Sequence, residues 1–297
     1  MLHCDILYIT KETVKIYQKE IVLENTNHKK TIKIELYNNH FQNYKVYGIP
    51  KAQLVIADIP YNLGNNAYAS NPTWYEGGEN KNGESAKAGT TFFDTDNDFR
   101  IAEFMHFCSK MLIKEPKEKG KSPAMIVFCA FEQMQTVIEK GKEYGFKNSY
   151  PLTFCKNRSS QVLKANMKIV GATEYAVVLY RDKLPKFNNG RQYDENGKLI
   201  RGSGKMIFNW FEWKYDKKSE YPKIHPTQKP INLLKTLIEI FTDEGDVVID
   251  PVAGSGSTLR ACRELNRSCY GFEIKKDFFK NATEIMLAED KQVQLSL

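Results

Sequence analysis

The sequence has no long hydrophobic run. Its 297 residues are 41% hydrophobic and 27% charged, and no stretch approaches the roughly 20 consecutive apolar residues that a membrane-spanning helix needs. The start, Met1-Leu2-His3-Cys4-Asp5, lacks the basic and apolar regions of a secretory signal, so a cytoplasmic protein with no membrane partner is expected. No Cys-x-x-Cys pair occurs. Cys4, Cys108, Cys129, Cys155, Cys262 and Cys269 are scattered, several in apolar runs such as Val127-Phe128-Cys129-Ala130, and they read as buried free thiols of a reducing compartment. The five histidines are scattered too, so no zinc spacing and no metal is expected. There is no internal repeat, and the composition excludes a disordered chain, a collagen and a coiled coil.

What is present is an alternation of short apolar runs with amphipathic stretches. The length fits one large domain, or one domain with a small insert. Residues 1–30 are polar and weakly alternating, an N-terminal extension that reads as an added hairpin or an arm. Thr31 to Leu36 alternates like a half-exposed strand. Gln53-Leu54-Val55-Ile56-Ala57 and Met125-Ile126-Val127-Phe128-Cys129 are continuous apolar runs of the kind that make strands buried on both faces. Further strands are expected at 150–155, 175–180, 246–249 and 268–272. Helices are expected at 98–113, 131–143, 230–241, 257–266 and 275–288. Residues 62–97, rich in Asn, Gly, Ser and Thr, read as a long mobile loop. Such alternation predicts an α/β fold with a mainly parallel sheet, whose ligands bind at the carboxyl ends of strands.

Three candidate motifs fall at element ends. In Val248-Ile249-Asp250-Pro251-Val252-Ala253-Gly254-Ser255-Gly256-Ser257-Thr258 a strand runs into a glycine turn and then a helix. Gly254 and Gly256 permit close backbone approach to a ligand. Glu273 ends the next expected strand, where an acid can accept both hydroxyls of a ribose. No Lys follows the glycines, which argues against a phosphate loop, and the third glycine of a dinucleotide fingerprint is missing. A nucleoside cofactor is the expectation, with an ordinary βα turn as the alternative. In Asp58-Ile59-Pro60-Tyr61 a carboxylate and a ring stand at a strand end. A planar base can stack on Tyr61, while Asp58 and the Ile59 carbonyl accept the two protons of an exocyclic amine. In His225-Pro226-Thr227-Gln228-Lys229-Pro230, Thr227 reads as an N-cap, and the helix start it opens would present N–H groups to a carboxylate.

Taken together and in this order, the motifs resemble the amino-group DNA methyltransferases, in particular the β class, where the catalytic tetrapeptide precedes the cofactor loop. The family pattern runs Asp-Pro-Pro-Tyr, a recognition region, His-Pro-Thr-Gln-Lys-Pro, then Asp-Pro-Phe-x-Gly-Ser-Gly-Thr; the resemblance covers about residues 31–290. Ile59 replaces a Pro, Val252 replaces a Phe, and Ser257 is an extra residue before Thr258. Tyr37-Asn38-Asn39-His40 stands where the family often has Gly-Asp.

The resemblance implies a Rossmann-like methyltransferase sheet with one antiparallel hairpin strand and a small target-recognition insert. Residues 31–180 would form the catalytic part, 181–224 the recognition region and 225–297 the cofactor part of the same domain. It implies S-adenosyl-L-methionine as cofactor, held by His225, Thr227, Lys229, Asp250, Pro251, Ala253, Gly254, Ser255, Gly256, Thr258 and Glu273. Catalysis would fall to Asp58, Ile59, Pro60 and Tyr61, acting on N6 of an adenine flipped out of double-stranded DNA. An Asp at the first position favours adenine in this family, and a Ser favours N4 of cytosine. Members often dimerise, and a cognate restriction endonuclease is a further partner to consider.

Region 181–224 carries eleven Lys or Arg against six acids, a net +5 of the whole chain's +7. Arg191, Arg201, Lys205, Lys214, Lys217 and Lys218 are its expected DNA contacts. The aromatics of Phe208-Asn209-Trp210-Phe211-Glu212-Trp213 read as a small core for that insert. Three alternatives stay open from sequence: an N4-cytosine enzyme, an RNA adenine enzyme, and a catalytically silent DNA-binding subunit. The last would need broken motifs, and Asp58, Tyr61, Gly254, Gly256 and Glu273 all stand.

Overall fold

The computed structural model describes residues 8–9, 14–25, 28–61, 99–159, 162–164, 169–192, 194–196, 198–225 and 227–288. The loop expected at 62–97, part of the N-terminal extension including Cys4, and Pro226 lie outside the described residues. In chain order the strands and helices are β1 (Tyr8–Ile9), β2 (Val14–Asn25), β3 (His28–Tyr37), β4 (Leu54–Asp58), α1 (Ile101–Met111), β5 (Ala124–Cys129), α2 (Met134–Glu143), β6 (Asn148–Lys156), β7 (Val162–Lys164), β8 (Ile169–Val170), β9 (Thr173–Tyr180), β10 (Trp210–Trp213), α3 (Ile231–Phe241), β11 (Val247–Asp250), α4 (Ser257–Glu264), β12 (Ser268–Phe272) and α5 (Lys276–Asn281). The chain divides into two compact units, Met1–Ala52 with Tyr215–Leu297, and Gln53–Lys214. The second boundary falls inside the expected recognition region and leaves Lys217 and Lys218 in the first unit.

The first unit orders its strands β1-β2-β3-β12-β11. β12 runs parallel to both β11 and β3, and β2 folds back antiparallel on β3. Every residue of β12 is buried, as expected of a central strand in a parallel sheet. β3 alternates, with Ile32, Ile34 and Leu36 fully buried and Thr31 and Lys33 exposed, because only one face is covered. The polar start of the chain thus includes the hairpin strand β2. α3 buries Ile231, Leu234, Leu237, Ile238 and Phe241, a stripe at helical spacing.

α4 is short and buries two arginines. Arg260 donates from Nε to Glu264 at 2.5 Å and from Nη1 to the Met286 carbonyl at 3.3 Å. Arg263 Nη1 donates to the Leu287 carbonyl at 2.8 Å, which also accepts the Tyr17 hydroxyl at 3.0 Å. The last helix, expected over 275–288, is α-helical only to Asn281 and continues as a π-helical turn over Ala282–Met286. Its final carbonyls are those bound by the two arginines, so the helix end is closed by side chains from α4.

The second unit orders its strands β4-β5-β9-β6-β10. β4 and β5 are parallel, and β6 and β10 are parallel. β9 runs antiparallel between β5 and β6. More than the one expected strand runs antiparallel: β9 here and β2 in the first unit. β5 is buried throughout. α1 packs Phe104, Met105, Phe107, Cys108 and Met111 inward. Cys108, Cys129, Cys262 and Cys269 are buried free thiols, and Cys155 is half-buried. Among the described residues no helix is long and apolar enough to cross a membrane.

One close approach shapes the first unit. A Cβ on Gly271, in β12, would stand 2.7 Å from Leu259 Cδ1, 3.0 Å from Leu36 Cδ1 and 3.2 Å from Ala253 Cβ. Helix α4, strand β3 and the loop after β11 all lean on this bare position. Gly271→Ala is expected to lower stability by about 1–3 kcal/mol through overpacking. Thermal denaturation monitored by circular dichroism would show it as a lower Tm; an unchanged Tm would mean the three neighbours yield freely.

Candidate active site

The first unit carries the glycine loop. β11 ends at the buried Asp250, whose Oδ1 accepts the Val252 amide at 3.1 Å. The loop then closes onto the end of β12. Ala253 N donates to the Phe272 carbonyl at 2.8 Å, and Gly254 N donates to Glu273 Oε2 at 2.9 Å. Gly256 stands at φ 74° immediately before α4, a left-handed conformation that glycine adopts without cost. Ser255 and Ser257 share a hydrogen bond at 2.7 Å, and both are buried with Thr258.

Glu273 is 8% exposed. Its Oε1 accepts the Lys275 amide at 2.7 Å, so each carboxylate oxygen takes one main-chain N–H. A carboxylate oxygen has two acceptor sites, which leaves one on each oxygen for a pair of adjacent hydroxyls. Burial pushes the Glu273 carboxyl up to about 7, Asp250 adding to the effect while the Lys275 and Gly254 amides and the Lys275 charge oppose it.

Asn38, which follows β3, donates from Nδ2 to the Glu273 carbonyl at 2.8 Å, and the Glu273 amide donates to the Tyr37 carbonyl at 3.0 Å. The Tyr37-Asn38-Asn39-His40 segment that departs from the family pattern is therefore part of this site. Asn39 Oδ1 accepts the His40 amide at 2.8 Å and Asn43 Nδ2 at 2.8 Å, fixing the turn.

The segment 225–230 behaves differently from expectation. Thr227 does not cap a helix. α3 starts at Ile231 after Pro230, which makes no side-chain cap. Its first amides go to Asp216: Ile231 N donates to Oδ2 at 2.6 Å and Asn232 N to Oδ1 at 3.4 Å. Pro230 cannot donate an N–H, and a carboxylate fifteen residues upstream in sequence completes the helix end. That helix start is thus already taken by an internal carboxylate.

Thr227 instead turns back on His225, with its amide 3.3 Å and its hydroxyl 3.1 Å from His225 Nδ1. The His225 ring lies edge-on to Phe278 at 4.4 Å. Burial, with Lys229 and Lys275 nearby, pushes its imidazole down to about 4, so it is neutral at pH 7. Lys229 is buried, and the positive charge of this corner comes from Lys229 and Lys275.

The second unit carries Asp58 to Tyr61. Asp58 is the last residue of β4, opposite Phe128 of β5. The Ile59 amide donates to the Phe128 carbonyl at 3.1 Å. Gln133, in the 3-10 turn before α2, locks the next peptide: its Nε2 donates to the Pro60 carbonyl at 3.0 Å while its Oε1 accepts the Ala130 amide at 3.0 Å. Asp58 Oδ1 and the Tyr61 hydroxyl are both screened from solvent. Burial raises the Tyr61 phenol well above its ordinary value, and the neighbouring Asp58, Glu174 and Cys129 further oppose its ionisation. Burial and Asp58 likewise push the Cys129 thiol up to about 12, so it stays a thiol. Glu174 is ion-paired with Lys156, whose ammonium lies 4.9 Å over the Trp213 ring. Sequence inspection missed Gln133, Asn38 and Glu174. Each acts through a contact with residues distant in the chain, and no local pattern announces such a contact.

In region 181–224, Arg191, Arg201, Lys205, Lys214, Lys217 and Lys218 are all exposed. Lys198 and Lys223 are exposed as well, whereas two other cations counted there are structural. Arg181 donates to the Ile113 and Ser109 carbonyls at 2.8 and 3.0 Å, and Lys183 Nζ donates to the Pro116 carbonyl at 2.7 Å. The aromatics do not form one small core. Trp213 is buried and Phe211 stacks on Phe154 at 5.8 Å, but Phe208 and Trp210 are exposed. β10 is an edge strand whose alternate residues face opposite ways. Among the described residues no group of three or more His, Cys, Asp or Glu could hold a metal ion.

A strand, a glycine turn closed on an acid at the next strand end, and a helix form the nucleoside-binding arrangement of α/β proteins. Residues 52–284 match the family model for N6/N4 methylases, described as DNA methylase, and the chain belongs to that family. The type II methyltransferase M2.DpnII of Streptococcus pneumoniae is 26% identical over 240 residues, covering 80% of this chain and 83% of that protein. The type II methyltransferase M.HindIII of Haemophilus influenzae is 53% identical, but over 64 residues, 22% of this chain and 21% of that protein. Among solved structures, the PvuII DNA methyltransferase, titled cytosine-N4-specific, shares the fold with a TM-score of 0.59 and 14% identity, covering 87% of each chain.

The raised Glu273 carboxyl makes a stability prediction. Between about 4.5 and 7 the unfolded chain loses this proton while the folded chain keeps it, so the native state is progressively disfavoured as pH rises through that window. The Tm of Glu273→Gln minus that of the wild type, both without ligand, is expected to grow from pH 4.5 to 7 and to level off above. A difference that is constant across the window would show the carboxyl titrates normally.

Proposed function

We propose that this protein is a DNA methyltransferase that transfers a methyl group from S-adenosyl-L-methionine to N6 of adenine. The observation that carries this reading is the strand end at Asp58. A carboxylate whose Oδ1 is shielded from solvent, with the buried Tyr61 hydroxyl near it, stands on a turn whose Ile59 amide is tied to the Phe128 carbonyl of β5 and whose Pro60 carbonyl is tied to Gln133 in the turn that follows. Such a group is held in place before substrate arrives, which is what in-line transfer to a weakly nucleophilic amine requires.

The cofactor supplies a methyl group on a sulfonium, a good electrophile that needs no covalent enzyme intermediate. Glu273 fits a ribose, with one acceptor site left on each oxygen. Lys229 and Lys275 supply positive charge for an amino-acid carboxylate, with His225 neutral beside them. Asp250, Pro251, Ala253, Gly254, Ser255, Gly256 and Thr258 form the turn that lets the main chain approach the cofactor.

Asp58 accepts one N–H of the target amine and the Ile59 carbonyl accepts the other. These bonds draw the nitrogen away from conjugation with its ring and free its lone pair. Tyr61 offers its ring as the stacking surface for a base flipped out of the duplex. The methylated amine gives up its extra proton readily, so Asp58 need not be a strong base. The choice of adenine over N4 of cytosine rests on Asp58 standing where a Ser would favour cytosine. Arg191, Arg201, Lys205, Lys214, Lys217 and Lys218 would meet the phosphates.

The test is incubation with labelled cofactor and unmethylated genomic DNA, digestion to nucleosides and mass spectrometry. The expected product is the N6-methyladenine nucleoside. The N4-methylcytosine nucleoside would overturn the base assignment, and no methylated nucleoside would overturn the reaction. Asp58→Ala is expected to reduce kcat/KM about a thousandfold while cofactor affinity by calorimetry stays near the wild-type value. Wild-type turnover in that variant would remove Asp58 from the mechanism.

Lys217 and Lys218 make a separate prediction. Replacing both by Ala should weaken DNA binding and flatten the plot of log affinity against log salt by about 0.9 for each phosphate left unneutralised. An unchanged slope would show that neither lysine reaches the backbone.

A further inference from the structure

The second unit presents a row of aromatic rings that the methyl-transfer reading does not use. Trp210 of β10 lies opposite Thr153 of β6, Thr153 opposite Tyr175 of β9, and Tyr175 opposite Cys129 of β5. Directly opposed residues on neighbouring strands put their side chains on one face, so these four form a line across the sheet. Its inner end is closed and its outer end open: Cys129 is 1% exposed, and Trp210 is 52% exposed. Phe208, 69% exposed, stacks on Trp210 with ring centroids 6.0 Å apart and planes 23° apart. At the inner end Phe131, 65% exposed, has its ring centroid 5.7 Å from that of Tyr175. Cys129 follows Phe128, the residue paired with Asp58, so the line runs along the strand ends that hold the tetrapeptide.

Single exposed apolar residues are ordinary. Two features set this pair apart. Its backbone is held: the Asn209 carbonyl between the two rings accepts the Thr153 amide at 2.9 Å, and Asn209 Nδ2 donates to the Pro151 carbonyl at 3.2 Å. Its surroundings are cationic on balance: Arg201 and Lys205 are exposed on the same stretch of chain, and Lys214 is exposed and ion-paired with Glu212 at 3.0 Å. Lysine is depleted from protein–protein interface cores. Rings interleaved with cations suit an unstacked nucleic-acid strand, whose bases stack on rings while its phosphates meet the cations.

We propose that Phe208 and Trp210 stack on nucleobases of the DNA substrate beside the flipped target base. This rests on the DNA methyltransferase reading and adds to it a surface that stabilises the opened duplex. Phosphate contacts alone would not need exposed rings, and a protein partner would not need the cations.

The experiment uses the full chain and sheared unmethylated genomic DNA. Tryptophan emission of the wild type should be quenched on DNA addition, and the Trp210→Phe variant should lose most of that quenching. Phe208→Ala with Trp210→Ala should weaken DNA binding by about tenfold to a hundredfold with an unchanged salt slope, because the phosphate contacts remain. Trp210→Phe, which keeps a ring, should retain most of the affinity, and Trp210→Leu, which keeps only bulk, should not. Wild-type DNA affinity in the double variant, or DNA quenching that Trp210→Phe does not reduce, would overturn the inference; if the wild type still methylates DNA, the activity reading survives. A wild type that neither binds nor methylates DNA would overturn both. Both side chains are exposed, so melting curves of the variants are expected to match the wild type.

Discussion

The first unit depends on how one loop is sewn to one strand end. Two adjacent amides after β11 reach across to β12, Ala253 to the Phe272 carbonyl and Gly254 to the Glu273 carboxylate. Once the Glu273 carboxyl is ionised, the second of these bonds has a charged acceptor, and such a bond contributes more than one between neutral groups, about 1.5–3 kcal/mol against about 1. The same bond that shapes the loop orients the acid, so the turn and the residue it would present to a ribose are one structure. Gly271, two residues before Glu273, lets Leu259, Leu36 and Ala253 close in from three elements. Asn38 and the Tyr37 carbonyl then brace the acid from β3. In the second unit Gln133 has a comparable role, one amide group holding both the Ala130 amide and the Pro60 carbonyl.

The contrast between what could and could not be read from the sequence follows from the range of the interactions. β4, β5 and β12 were legible because a strand covered on both faces must be apolar throughout. The turn at Gly254 and Gly256 was legible because its conformation selects glycine locally. β2 was only half legible, since one open face leaves a polar, weakly alternating sequence. α3 itself is legible at 230–241, but its cap is misread at Thr227 because a residue of N-capping type stands there, whereas the amides of Ile231 and Asn232 are met by Asp216, outside any capping pattern. The aromatics at 208–213 could be grouped by sequence but not divided. Only the pairing of β10 with β6 shows that Trp213 and Phe211 turn inward beside Phe154 while Trp210 faces out.

The charge balance also divides once geometry is known. The excess of cations in 181–224 suggested a surface for a polyanion. Arg181 and Lys183 direct their donors to main-chain carbonyls at the end of α1 and in the segment after it, as Arg260 and Arg263 do to the carbonyls that close the π-helical turn. Buried arginine is tolerated because its planar fork can satisfy several acceptors at once. The exposed remainder, Arg191, Lys198, Arg201, Lys205 and Lys214 in one unit and Lys217, Lys218 and Lys223 in the other, is smaller than the count. Formal charge is thus an upper limit on what a surface offers to phosphate.

The division of the chain has a consequence for its synthesis. The second unit is continuous, Gln53–Lys214, whereas the first is assembled from Met1–Ala52 and Tyr215–Leu297. During translation β3 emerges early but its parallel partner β12 is made more than two hundred residues later. Until then the β2–β3 hairpin offers an unpaired strand edge, a template for wrong pairing. At typical synthesis rates of about 5–20 residues per second, that edge stays open for tens of seconds. The polar residues along β2 and β3, among them Lys15, Lys19, Glu20, Lys33 and Glu35, keep the waiting hairpin soluble as well as covering the finished sheet.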